Sequence, residues 1–135
     1  MKKIALLVIT GAILVFLACK ETESEKFRLI TAHIWTSDSL LIEGVDASGP
    51  GQMLEKFKGD AKFNKDMTGY FGKYTGIWRF TYSETNLVID SDSLQMPLTA
   101  NIVLLNDAYL KITTTYPNII NPSNPLDIRM TFKAK

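Results

Sequence analysis

Cysteine and histidine are almost missing from this chain; each occurs once in 135 residues, as Cys19 and His33. One thiol excludes an internal disulfide, and one imidazole excludes a multi-histidine metal site. A Ser/His/Asp triad through His33 lacks the G-x-S-x-G elbow that would present its serine, so His33 reads as a residue of a strand surface or core edge. Asp90, Ser91 and Asp92 open like a calcium loop, but the glycine and distal glutamate that such a loop needs are absent, which leaves a polar turn. No enzymatic activity, metal or cofactor is expected. A basic excess is missing too. Once Lys2 and Lys3 are set aside, 13 basic residues face 14 acidic ones, with no dense Lys/Arg cluster, so nucleic acid is not an expected partner. The one long apolar run, Ile4 to Ala18, is short for a membrane span. With Lys2 and Lys3 before it, it matches the charged and apolar regions of an export signal.

That run ends Phe16-Leu17-Ala18-Cys19, with a small residue directly before the cysteine. The segment resembles the lipobox of bacterial lipoproteins, which implies cleavage after Ala18 and attachment of acyl chains such as palmitate to Cys19. Lipid attachment would consume the single thiol; the alternatives are an ordinary secretory signal with an incidental cysteine, or an uncleaved anchor. Lys20 to Lys26, KETESEK, has no apolar anchor and reads as a flexible linker. It also resembles the acidic export tags of Bacteroidetes surface lipoproteins. The expected organisation is a lipoprotein signal peptide over residues 1–18, a polar tether over 19–28 and a folded domain over 29–135. The expected place is the outer membrane, lipid-anchored on its periplasmic face or at the cell surface.

With 46% hydrophobic and 21% charged residues, the mature part has the composition of one globular domain. At that size about two-thirds of the unfolded surface is buried, which suffices without disulfides. The stretch from Phe63 to Asp90 sets the architecture. Trp78, Phe80 and Tyr82 alternate with Ile77, Arg79 and Thr81, the period of a strand with its aromatic face inward. A turn at Ser83-Glu84-Thr85 returns the chain through Asn86 to Asp90. Ala61 to Asn64 and Thr68 to Gly72 form a hairpin about residues 64–67. Downstream, Leu110, Ile112, Thr114 and Tyr116 share one strand face, as do Leu126, Ile128, Met130 and Phe132. Pro97 to Leu105 supplies another strand, and Leu29 to Glu43 reads as a first long strand or a bent pair. Eight antiparallel strands in succession predict a small, all-β, up-and-down barrel. Gly44 to Gly59 is its one long insertion, in which Met53, Leu54 and Phe57 give an apolar side to a short helix, as a lid or as permanent core cover.

FNKDMTGYF followed by GIWRFTYSETNLVI resembles the lipocalin-like domains of Bacteroidetes lipoproteins, whose pattern runs from a phenylalanine and a tight turn through G-x-W-x-F to L-x-I. Met67 stands where that family favours glycine, which predicts a turn without a positive φ there. Trp35 lies where lipocalins carry the tryptophan that plugs the closed end of the barrel. The resemblance implies binding of a small apolar ligand. Trp35, Phe57, Trp78, Phe80, Tyr82 and Phe132 are the candidate lining, and the same rings would equally fill a solid core. Two functions therefore stand side by side. One is a ligand-carrying lipoprotein; the other is a non-enzymatic accessory with a filled barrel that contacts an outer-membrane protein.

Overall fold

The structure, a computed structural model, describes residues 23–135; the expected signal peptide, Cys19 and the first part of the expected tether lie outside them. The described chain opens with a helix where a tether and a strand were expected. Helix α1, Glu25–Ala32, begins at Ser24, whose Oγ accepts the Phe27 N–H at 3.1 Å. That bond satisfies one of the amide groups a helix start leaves unpaired. Thr31 would favour a strand, yet its hydroxyl donates back to the Phe27 carbonyl at 2.7 Å, and Leu29 and Ile30 are buried. Tertiary burial of one helix side outweighs the β preference of the sequence. The first strand therefore starts at Ile34, and residues 25–28 of the expected tether are helical.

Nine strands follow among the described residues: β1 (Ile34–Ile42), β2 (Val45–Asp46), β3 (Asp60–Phe63), β4 (Thr68–Phe71), β5 (Tyr74–Thr81), β6 (Asn86–Asp90), β7 (Leu98–Leu105), β8 (Tyr109–Tyr116) and β9 (Leu126–Ala134). Each of β3 to β8 pairs antiparallel with the next strand, β3 pairs with β1, and β1 also pairs with β9 from Trp35↔Ala134 to Ile42↔Ile128. The result is a closed eight-stranded antiparallel barrel, with β2 as an extra strand on β1. Closure leaves no long unpaired edge. The β1–β2 turn places Glu43 at φ 52° and Gly44 at φ 77°, the two left-handed residues that a tight hairpin turn requires.

Gly69 and Gly76 face each other across β4 and β5. A Cβ on Gly69 would stand 2.3 Å from the Lys62 carbonyl oxygen, and one on Gly76 would stand 2.0 Å from that of Asp90. The sheet therefore bends here so tightly that backbone occupies the space of a side chain.

Three short turns and α1 lie at one end of the barrel, and three longer connections and the two-residue β4–β5 turn lie at the other. At the first end, Phe27 stacks on Trp78 with ring centroids 5.7 Å apart, Trp35 Nε1 donates to the Ile30 carbonyl at 3.0 Å, and Lys62 Nζ donates to the Thr31 carbonyl at 2.7 Å. Helix α1 thereby closes that end. The turn at 64–67 departs from expectation, because Met67 has φ 72°. Asp66 Oδ1 accepts both the amide and the hydroxyl of Thr68, while Trp78 donates its backbone N–H to the Met67 carbonyl and its indole N–H to that of Asn64. These bonds hold a non-glycine residue in a left-handed conformation that it would otherwise avoid.

Candidate functional site

Along each strand the period-2 pattern selects inward residues, and their sizes differ between the two halves of the barrel. The closed half is filled by rings. Phe63, Trp78 and Phe80 meet there, and Phe71, which pairs with Tyr74 at the other end of β4, extends the same chain of ring contacts with centroid separations of 5.1 to 5.4 Å. Trp35 is fully buried beneath α1. Ile128, Met130 and Phe132 are buried on β9, while Arg129 and Lys133 face solvent, as the alternation predicts. In the open half some inward positions are slimmer, Leu98 on β7, Thr114 on β8 and Ile128 on β9, although Tyr74 and Tyr116 also border it. A cavity of about 620 Å³ remains there, room for about 20 waters.

The insertion between β2 and β3 forms one wall of this cavity. Its expected short helix is a single 3-10 turn, Glu55–Phe57; Leu54 before it and Phe57 within it are buried, and Met53 is 48% exposed. It is bonded in place along its length. Ala47 N–H donates to the Leu40 carbonyl, Leu54 N–H to that of Ala47, and Lys73 N–H to that of Lys56 at 2.7 Å. Leu54 and Phe57 thus belong to the core, and Met53, half exposed, is the residue of this insertion that stands at the rim. The segment Ser93–Leu98 and the strand end Thr114–Pro117 form the facing wall, with Ile128 and Met130 also lining it.

Of the six rings expected to line a pocket, Phe57 alone lines this one. Trp35, Trp78, Phe80 and Phe132 belong to, or pack on, the core. A ligand in the cavity would therefore not touch Trp78. Tyr82 is placed differently again. It lies beyond the last β5–β6 pair, Thr81↔Asn86, and takes φ 53°, followed by Ser83 at 55° and Glu84 at 65°. This left-handed turn swings its ring out of the strand's alternation, and the residue is 72% exposed.

Two lining residues missed from sequence are Tyr74 and Tyr116, at the first position of β5 and the last of β8. Their inward register at the open end was the signal that could have identified them. Tyr74 tilts against Phe57 at 4.8 Å, with Lys56 Nζ 6.0 Å from its ring centroid. Burial pushes its phenol above the usual tyrosine range, so the proton is held more firmly. Every side chain lining the cavity is uncharged.

His33 sits at the junction of α1 and β1. Its ring packs edge-on to Trp35 at 5.3 Å, and its Nε2 lies 3.2 Å from the exposed Asp107. Among the described residues no cluster of three or more His, Cys, Asp or Glu side chains could hold a metal ion. Comparison with known proteins finds no family model that matches the chain and no similar protein among those with curated descriptions.

Proposed function

We propose that this protein is a lipid-anchored, lipocalin-like binding module of the outer membrane that holds one small, largely apolar molecule in the open half of its barrel. The observation that supports this reading is the cavity itself, a half-open concave site of ligand size whose walls mix apolar side chains with nearly as much polar surface. Binding rather than catalysis is the activity proposed, because the walls offer hydroxyl and amide groups but no acid–base pair. Filling the space tests it. In Leu98→Trp, binding to a panel of fatty acids, sterols and tetrapyrroles is expected to fall at least about tenfold, since the new ring occupies the volume the ligand needs. Equal affinity in wild type and variant, or no saturable binding by either, would sink the proposal.

The anchor is tested separately. Cys19→Ser is expected to move the protein from the detergent phase to the aqueous phase, because the acyl chains contribute about 0.8 kcal/mol per buried methylene. A serine variant that still partitions with membranes would remove the lipid from the account. Glu23 pairs with Lys65 at 3.5 Å, beside the turn at the closed end, so an anchor at Cys19 would leave the cavity mouth facing away from the bilayer.

The accessory reading keeps one observation in its favour. Ile119 and Ile120, in the β8–β9 loop, are 91% and 96% exposed, an apolar tip suited to a protein partner.

A further inference from the structure

Tyr74 carries a polar group that the fold itself does not use. The residue is 8% exposed, and no hydrogen bond to the described residues engages its hydroxyl. Among the described residues no fully buried side-chain nitrogen or oxygen lacks a hydrogen-bond partner. The unpartnered hydroxyl is therefore not fully buried, and Tyr74 is one of the residues that line the cavity. Thr114 behaves in the opposite way, because its hydroxyl donates to the Thr99 carbonyl at 2.7 Å and so has no proton left to offer. A neutral phenol beside uncharged walls is a donor waiting for an acceptor. A carboxylate or ammonium brought into the same space would lose water and find no charged side chain on the lining itself; the Lys56 ammonium, 6.0 Å from the Tyr74 ring centroid, is not among the lining residues.

Resting on the reading of the cavity as a binding site, we infer that Tyr74 is its recognition group and donates a hydrogen bond to the oxygen of a neutral ligand, a molecule with an apolar body and a carbonyl or ether. Phe57 packs against the ring and fixes its direction, and the apolar floor of Ile128 and Met130 takes the hydrocarbon part. The inference thus names both a residue and a chemical class. It excludes fatty-acid anions as the preferred cargo.

A fluorescent probe pair tests this: an acyl(dimethylamino)naphthalene ketone, whose emission moves to longer wavelength when its carbonyl accepts a hydrogen bond, and the naphthoate bearing the same amino group. The ketone is expected to bind wild type saturably, and the anion about tenfold more weakly. Tyr74→Phe is expected to weaken ketone binding about fivefold and to shift the bound emission to shorter wavelength, with an unchanged circular dichroism spectrum. Leu98→Trp should abolish binding of both probes. If Leu98→Trp blocks the ketone but Tyr74→Phe alters neither affinity nor emission, the cavity is real and Tyr74 is not its donor. An effect confined to Tyr116→Phe would move the donor to the opposite wall and overturn the assignment. Preference for the naphthoate would overturn the neutral class. Saturable binding that Leu98→Trp leaves intact, or none at all, removes the cavity reading and this inference together.

Discussion

Trp78→Ala is expected to remove about 3 to 5 kcal/mol of stability, the usual loss when a buried aromatic ring becomes a void. Several interactions meet at this one side chain. Phe27 of α1 stacks on it, Phe63 and Phe80 meet it edge-on, and its indole N–H donates to the Asn64 carbonyl at 3.0 Å. Removing the ring empties the closed half, strands the Asn64 carbonyl and takes away the surface on which α1 docks. Domains of this size are stable by only about 5 to 15 kcal/mol, so the variant should keep little margin. The check is urea unfolding. With a slope of about 1 to 3 kcal/mol per molar, the midpoint should fall by about 2 M. Trp78→Phe restores most of the packing but not the hydrogen bond, and it should recover more than half of the loss. A midpoint for Trp78→Ala within about 0.3 M of wild type would show that α1 and the rings beneath it do not hold the closed end together.

Gly76→Ala is expected to cost about 3 kcal/mol, although the change adds a single methyl group. The added carbon would stand 2.0 Å from the Asp90 carbonyl oxygen and 3.0 Å from the Asp90 carbonyl carbon and Ser91 Cα. All three are backbone atoms, so no side chain can rotate away. Either β5 and β6 separate at their Ile77↔Asp90 end, or the bend opened by Gly69 and Gly76 flattens. Gly44→Ala supplies the contrast, for its Cβ would meet nothing within 4 Å while its φ is 77°. Backbone strain alone should cost about 1 kcal/mol there. If the two variants lose equal stability in the same titration, crowding at the bend is not what fixes glycine at position 76.

Much of the barrel was legible because inward and outward residues alternate along it. The last strand is the clearest case: Ile128, Met130 and Phe132 are buried, as a period of two dictates. The same logic could not see α1. Leu29 to Trp35 reads as β-forming, and the helix depends on the Ser24 cap and on burial against a barrel that must exist first. Met67 and Tyr82 were misread for a related reason. Turns held by hydrogen bonds from Asp66, or running through three left-handed residues, can place non-glycine residues where propensity would not.

The site was harder still. Alternation states which face of a strand a residue occupies but not its depth along the barrel axis, and depth separates a ring that fills the closed half from one that borders the cavity. Trp78 and Tyr74 are both inward residues of β5, four positions apart. Both are buried in the core, and only Tyr74 also borders the cavity.

That separation of depth has an optical consequence. Both tryptophans, Trp35 and Trp78, lie in the closed half, and neither lines the cavity. The molecule's ultraviolet emission is therefore an internal gauge of whether the barrel is assembled, and it is nearly blind to what the barrel contains. An unfolding curve read at the tryptophans reports on the rings and α1. A titration with a colourless cargo should leave the same signal flat even at saturation, so a silent tryptophan trace would not count against occupancy. Introducing an emitter at the mouth, as in Met96→Trp on a side chain that is 57% exposed, would give the open half its own colour.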